Sequence, residues 1–178
     1  MERRFRIFRY IIYSTELLVL FVIQGIPNFI PELFGGKPSL IIPVVLTISM
    51  FEPKLTALWF GLAGGLLTDI SNGGVIGFFA IIMTLCCYFI SYLTSELIRT
   101  RLSVAMAISF IVVAMALSLH FLFFYVMCGY GNNGYFFVSH YLSRILYTVA
   151  LTPIAYYVNR VLALRAVSYT HLRAHETG

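Results

Sequence analysis

Residues 61–77 read GLAGGLLTDISNGGVIG, six glycines and one aspartate set between two strongly apolar stretches. A glycine inside a helix costs about 1 kcal/mol against alanine. A carboxylate at mid-bilayer costs about 2.5–3.5 kcal/mol on insertion scales. A chain that accepts both costs at one place uses them for packing or for a turn. Gly61 and Gly65 stand four residues apart, and Ala57 extends the row one turn back. On a helix such a row is one smooth stripe, and Asp69 continues it one turn further. Stripes of small residues let helix backbones approach closely in lipid, where the hydrophobic effect does not drive association. The spacing predicts a seam of Ala57, Gly61, Gly65, Asp69 and Gly77. It would face the chain's own first or sixth helix, or a partner. Asp69 is expected at the seam's outer mouth, near headgroups and water. "SNGG" (71–74) then turns the chain into the next helix, since glycine accepts positive φ.

Composition says what surrounds that seam. The 178 residues are 60% hydrophobic and 11% charged, with a mean hydropathy of +0.91. Soluble domains carry about 25% charged residues, so lipid is the better solvent for this surface. The formal charge is +5, but the basic residues gather at the ends of apolar runs. That is a membrane-orientation pattern rather than a nucleic-acid one.

The apolar runs cover 7–26, 39–51, 55–70, 75–97, 102–126 and 138–158. The first is too long for a signal peptide's apolar core and has no small-residue cleavage site after it, so it reads as a retained helix. Run 39–51 contains Pro43 and covers about 20 Å, short of a hydrocarbon core of about 30 Å. Run 55–70 covers about 24 Å. Joined by "EPK" (52–54), the two read as a short helical hairpin. Six passes with the N-terminus inside place Arg3, Arg4, Arg6, Arg9, Lys54, Arg99, Arg101, Arg160 and Arg165 on the cytoplasmic side. Only Lys37 then lies outside, a nine-to-one positive-inside signal. Tyr125, Tyr130, Tyr135, Phe136 and Phe137 would form an aromatic belt at the outer boundary. The alternative makes 39–70 a re-entrant hairpin entering from outside, which would bury Glu52 and Lys54 at membrane depth.

The expected fold is an all-α integral membrane protein, about six transmembrane helices in one compact bundle over residues 1–166. Residues 167–178, VSYTHLRAHETG, are abruptly polar. They resemble a reading frame through a sequencing-library transposon adapter. They are read as a non-native tail, with the true C-terminus missing, and the His171/His175 pair is set aside with them.

Little in the sequence points to chemistry. There is no phosphate-binding loop, no HExxH, no nucleophile elbow and no carboxylate pair on one helix face. Cys86 and Cys87 are adjacent, have no ligand partner at metal spacing, and read as small core residues. No catalytic, metal-binding or cofactor-binding residue is expected. The intramembrane polar residues are Glu16, His120 and Arg144, with Asp69 near a helix end. By depth, Asp69 and Arg144 can pair; the competing reading has Asp69 solvated and Arg144 reaching outward. Glu16 is expected to face protein, near His120.

At the glycine-rich stretch the chain resembles a known family. "KPSLIIPVVLTISM" followed by "ALWFGLAGGLLTDISNGGVIGFFAIIMTLCCYFISYL" is similar to the bacterial rod shape-determining protein MreD. The shared marks are Lys37 and Pro38 before the second helix, Gly61, Gly65 and Asp69 on the third, and Gly77 opening the fourth. The specific likeness covers 37–93. The resemblance implies a non-enzymatic, multi-pass protein of the bacterial inner membrane. It implies work with MreC, the MreB filament, a RodA-type glycan polymerase and a class B penicillin-binding transpeptidase in lateral peptidoglycan synthesis. It also implies a fold like the substrate-binding subunits of energy-coupling-factor vitamin transporters. That likeness supplies the alternative function, a small-molecule uptake subunit, with Asp69, Arg144, His140, Asn132 and Asn133 as its few candidate ligand contacts.

Overall fold

The structure, a computed structural model, describes residues 2–26, 29, 31, 36–73, 75–96, 100–127, 134 and 137–174, the side chains of 2–5, 139 and 165–174 excepted. Its regular elements are helical. They are α1 (Glu2–Gly25), α2 (Ile41–Phe51), α3 (Lys54–Asn72), α4 (Phe78–Glu96), α5 (Leu102–Phe121), α6 (Ser143–Ala150) and α7 (Thr152–Ala174). Two π-helical segments, Leu122–Val126 and Phe137–Leu142, follow α5 and precede α6.

Prolines set several boundaries. Pro43 sits in the first turn of α2, where its missing N–H breaks no helical bond. Glu52 is extended, with φ −108° and ψ 152°. A residue before proline is pushed to that region, and Pro53 then opens α3. The apolar run 138–158 does not form one helix. It breaks at Leu151, because the Pro153 ring cannot accommodate the carbonyl four residues back.

Hydrogen bonds fix how the helices alternate. At one end, Arg9 of α1 meets Glu52, Tyr10 meets Thr56 at the start of α3, and Lys54 meets Glu96 at the end of α4. Tyr156 of α7 donates to the Thr100 carbonyl just before α5 at this same end. At the other end, Gln24 of α1 donates to Ser71 of α3 and accepts from Leu40 N–H before α2. The chain therefore runs between these ends six times, the last pass made of the π-segment, α6 and α7. The α2–α3 turn reaches the level of the C-terminus of α4.

The shortest of the first five helices is the innermost. Every α2 residue from Ile41 to Met50 is buried. Its neighbours are α3, α4 and α7, with α1 and α5 beyond. The bundle is apolar outside as well: Phe8, Leu55, Trp59, Ile76, Ile81, Ile111 and Ile154 are all more than 60% exposed. Four stretches are long and apolar enough to cross a membrane: Arg6–Gly25, Phe78–Glu96, Leu102–Val126 and His140–Leu164. At 1.5 Å per residue, α2 reaches only about 16 Å.

Candidate functional site

The glycine stripe lies on the buried face of α3. A Cβ on Gly61 would stand 2.8 Å from the Met83 carbonyl oxygen and 2.9 Å from Cys87 Cβ. One on Gly65 would meet Ala80 Cα, with the Phe79 carbonyl oxygen at 2.6 Å. Real Cβ atoms essentially never come within 3.0 Å of such neighbours, so both contacts require glycine. The neighbour is α4, neither the first nor the last pass, because the tight turn after α3 returns the chain directly along it. Ala57 continues the buried row and is fully enclosed. Gly64, adjacent to the stripe, serves a second surface: its Cβ would collide with the Val45 side chain of α2. The paired glycines at 64 and 65 are thus wedged between two helices.

Asp69 is not at a wet interface. It is 2% exposed, and its carboxylate accepts from the backbone N–H groups of Gly77 (2.8 Å), Phe79 (2.9 Å) and Ala80 (3.2 Å). These are orphan donors at the start of α4, which no residue of its own first turn satisfies. A negative charge there also opposes the positive end of the helix dipole. The turn that makes this possible uses two left-handed glycines, Gly73 (φ 63°) closing α3 and Gly77 (φ 110°) opening α4. A Cβ on Gly77 would meet nothing within 4 Å, so Gly77 serves the turn and not the packing seam. Asp69 therefore clamps the helix that the Gly61–Gly65 stripe packs against.

Arg144 does not pair with Asp69. Its guanidinium donates to the Asn72 side-chain oxygen at 2.7 Å, one turn further along α3. Its Nε and the Asn72 amide nitrogen are buried with no partner among the described residues. His120 Nδ1 meets the Tyr141 hydroxyl at 3.0 Å, and its ring lies among Phe78, Phe79 and Phe124. Glu16 is not near His120. It lines a groove between α1 and α7 with Val158 and Leu162, and its Oε2 is buried and unpartnered among the described residues. Pro38 is buried and Lys37 exposed. The loop holding them is anchored by Gly36, where a Cβ would stand 2.9 Å from the His140 carbonyl oxygen, and by Ser39 N–H donating to Thr148. Asn132 and Asn133 lie outside the described residues, as do Tyr130, Tyr135 and Phe136 of the belt and the third cysteine, Cys128. Cys86 and Cys87 are free thiols, half-buried and buried.

Several structural polar groups escaped the sequence reading. Asn159 of α7 donates to Thr47 of α2 at 2.8 Å. Ser91 of α4 donates to the Glu52 carbonyl at 2.6 Å. Glu52 itself is 4% exposed and paired with Arg9 at 2.7 Å. Burial pushes its carboxyl up to about 6, against the Arg9 guanidinium, which pulls it down. Single polar residues inside or just beyond apolar runs were the available signal, but spacing does not say which helix each one meets.

Among the described residues no three His, Cys, Asp or Glu side chains stand together to hold a metal ion. The buried polar pairs tie helix to helix, while the outer surface is apolar. These features define an α-helical membrane protein whose internal polar groups serve assembly of the bundle. The model of the rod shape-determining protein MreD family matches residues 4–162. The chain belongs to that family, and membership carries a role in rod shape determination. No curated protein and no solved structure matches it.

Proposed function

We propose that this protein is a multi-pass scaffold of the bacterial inner membrane that sustains lateral wall synthesis by binding MreC and, with it, the wall synthases. The observation that carries this reading is the family match, which spans all six passes of the bundle. The architecture agrees with a scaffold, since the paired groups hold helices and the exposed helix faces are apolar. The nine-to-one basic count supports both termini being cytoplasmic. Residues 167–178 lie beyond the matched region and are proposed to add nothing to this role.

A second reading, a small-molecule uptake subunit, draws on the polar and aromatic group formed by Asn72, His120, Tyr141 and Arg144. Two buried donors there, Arg144 Nε and Asn72 Nδ2, lack partners among the described residues. The likeness to energy-coupling-factor subunits is part of that reading. One experiment separates the two. Expressed in a rod-shaped bacterium depleted of its own MreD, the protein is expected to restore cell length and to retain MreC through detergent purification. Round cells despite normal membrane levels, without MreC bound, would sink the scaffold reading. Adjacent genes for an ABC ATPase rather than an MreC-like protein would favour uptake.

A further inference from the structure

Between α1 and α7 runs a groove of about 420 Å³, open toward the outside of the bundle. Ile12, Val19 and Leu20 line it from α1, and Val158 and Leu162 from α7. Its wall is apolar except for Thr15 and Glu16. Thr15 spends its hydroxyl on its own helix, donating to the Ile11 carbonyl at 2.8 Å. Glu16 has no such outlet: Oε2 is buried in the groove without a hydrogen-bond partner among the described residues. The nearest basic side chain on the buried side of α1, Arg9, lies two turns away and is held by Glu52.

Depth makes this carboxyl hard to leave alone. Glu16 stands ten residues from one end of the span Arg6–Gly25 and nine from the other. Along the helix those separations are roughly 15 Å and about 14 Å. Neither end brings water to it. An acidic group at mid-span that faces neither water nor a partner is costly, and such groups mark contact sites. The flank of α1 also has room for a neighbour. Only 11% of this span is buried inside the protein, against 33% for each of the other three.

The occupant follows from what Glu16 lacks. A lipid acyl chain would fill the groove but supplies no donor. A headgroup stays at the surface. A second copy packed groove to groove would bring another acid. The groove extends from Ile11 to Leu20, about 14 Å or two and a half helical turns, a length suited to side chains of one crossing helix.

We propose that the α1–α7 groove seats a membrane-spanning helix of a partner protein, which presents a hydrogen-bond donor to the Glu16 carboxyl at mid-depth. This inference rests on the scaffold reading above, with MreC as the partner used to test it. Glu16→Leu removes the acceptor and keeps the groove filled. Because the carboxyl has no donor among the described residues, the isolated variant is expected to melt no lower than the wild type. Its retention of MreC is expected to fall about three- to thirtyfold, the range for one interhelical hydrogen bond in a membrane. Glu16→Gln keeps an acceptor oxygen and is expected to retain more MreC than Glu16→Leu. In a cysteine-free background, Val158→Cys is expected to cross-link to single cysteines stepped through MreC's membrane segment, with helical periodicity. Ile81→Cys, exposed on α4, is expected not to. Equal MreC retention by all three proteins, or cross-linking through Ile81→Cys instead of Val158→Cys, would overturn the groove assignment while leaving the scaffold reading standing. A lower melting temperature for Glu16→Leu with MreC retention unchanged would make Glu16 a structural residue and overturn it equally. Failure of the wild type to hold MreC would sink the scaffold reading, and this inference with it.

Discussion

Gly65→Ala probes the α3–α4 seam with a single methyl group. The added carbon would sit 2.6 Å from the Phe79 carbonyl oxygen and 2.8 Å from the Ala80 nitrogen, both backbone atoms. Neither can rotate away, nor can Ala80 Cα, which is closer still, so α4 must retreat by about 1 Å to restore ordinary contact near 3.4 Å. Overpacking of this kind costs about 1–3 kcal/mol. Alanine's better helix propensity returns about 1 kcal/mol. The retreat also draws Phe79 and Ala80 N–H away from Asp69. One weakened bond to a charged acceptor costs about 1.5–3 kcal/mol. The net loss is about 3 kcal/mol, or roughly 6–12 °C in melting temperature for a chain of this size. The assay is thermal unfolding of the detergent-solubilised protein, followed by loss of the monodisperse peak on size exclusion. Gly25→Ala is the control, because a Cβ there meets nothing within 4 Å. If Gly65→Ala melts with the wild type, the helices do not touch at Gly65 and the seam argument fails.

Asp69→Asn leaves one carbonyl oxygen to serve three N–H donors and turns an amide NH₂ toward them, so a loss of about 2–3 kcal/mol is expected. Amide exchange should accelerate at Gly77–Ala80 before it does elsewhere; unchanged protection would remove Asp69 from the capping role. Glu52 gives a pH dependence of definite sign. Its folded carboxyl holds a proton up to about 6, above the ordinary 4.5, so the folded state binds more protons in that window. Stability should therefore fall by up to about 2 kcal/mol as pH rises through that window, and level off above it. Glu52→Gln should flatten that slope, and a melting profile that instead rises with pH would contradict the burial argument. Finally, thiol labelling in intact cells should reach Phe29→Cys but not Lys54→Cys, which should label once the cells are permeabilised; labelling of Lys54→Cys from outside would reverse the topology, and labelling from neither side would restore the re-entrant hairpin.

The sequence revealed the seam more readily than its neighbour. A four-residue spacing of glycines identifies a helix face from geometry alone, and residues 57, 61 and 65 do lie on the buried side of α3. What that face touches depends on the turn at Gly73–Gly77, whose two positive φ values fold α4 back along α3. Asp69 was harder. Capping is usually read from residues adjoining a helix start, whereas here the acceptor lies on the previous helix, eight to eleven residues away. The central place of α2 was hidden for another reason. An apolar helix in a soluble protein announces its burial, but in a membrane chain every helix is apolar, and hydropathy cannot separate protein-facing from lipid-facing surfaces. Arg144 shows the same gap: depth put it level with Asp69, yet rotation about α6 gave it Asn72.

The enclosure of α2 has a consequence for how the protein is made. This helix emerges early from the ribosome, but one wall of its enclosure, α7, follows only from Thr152 onward. The Asn159 amide that reaches Thr47 comes from 112 residues downstream. Until α7 arrives, a segment too short to span the bilayer must wait with an open flank. Nascent chains halted before residue 152 should therefore be favoured prey for membrane proteases, and the bundle gains its resistance only once α7 has emerged.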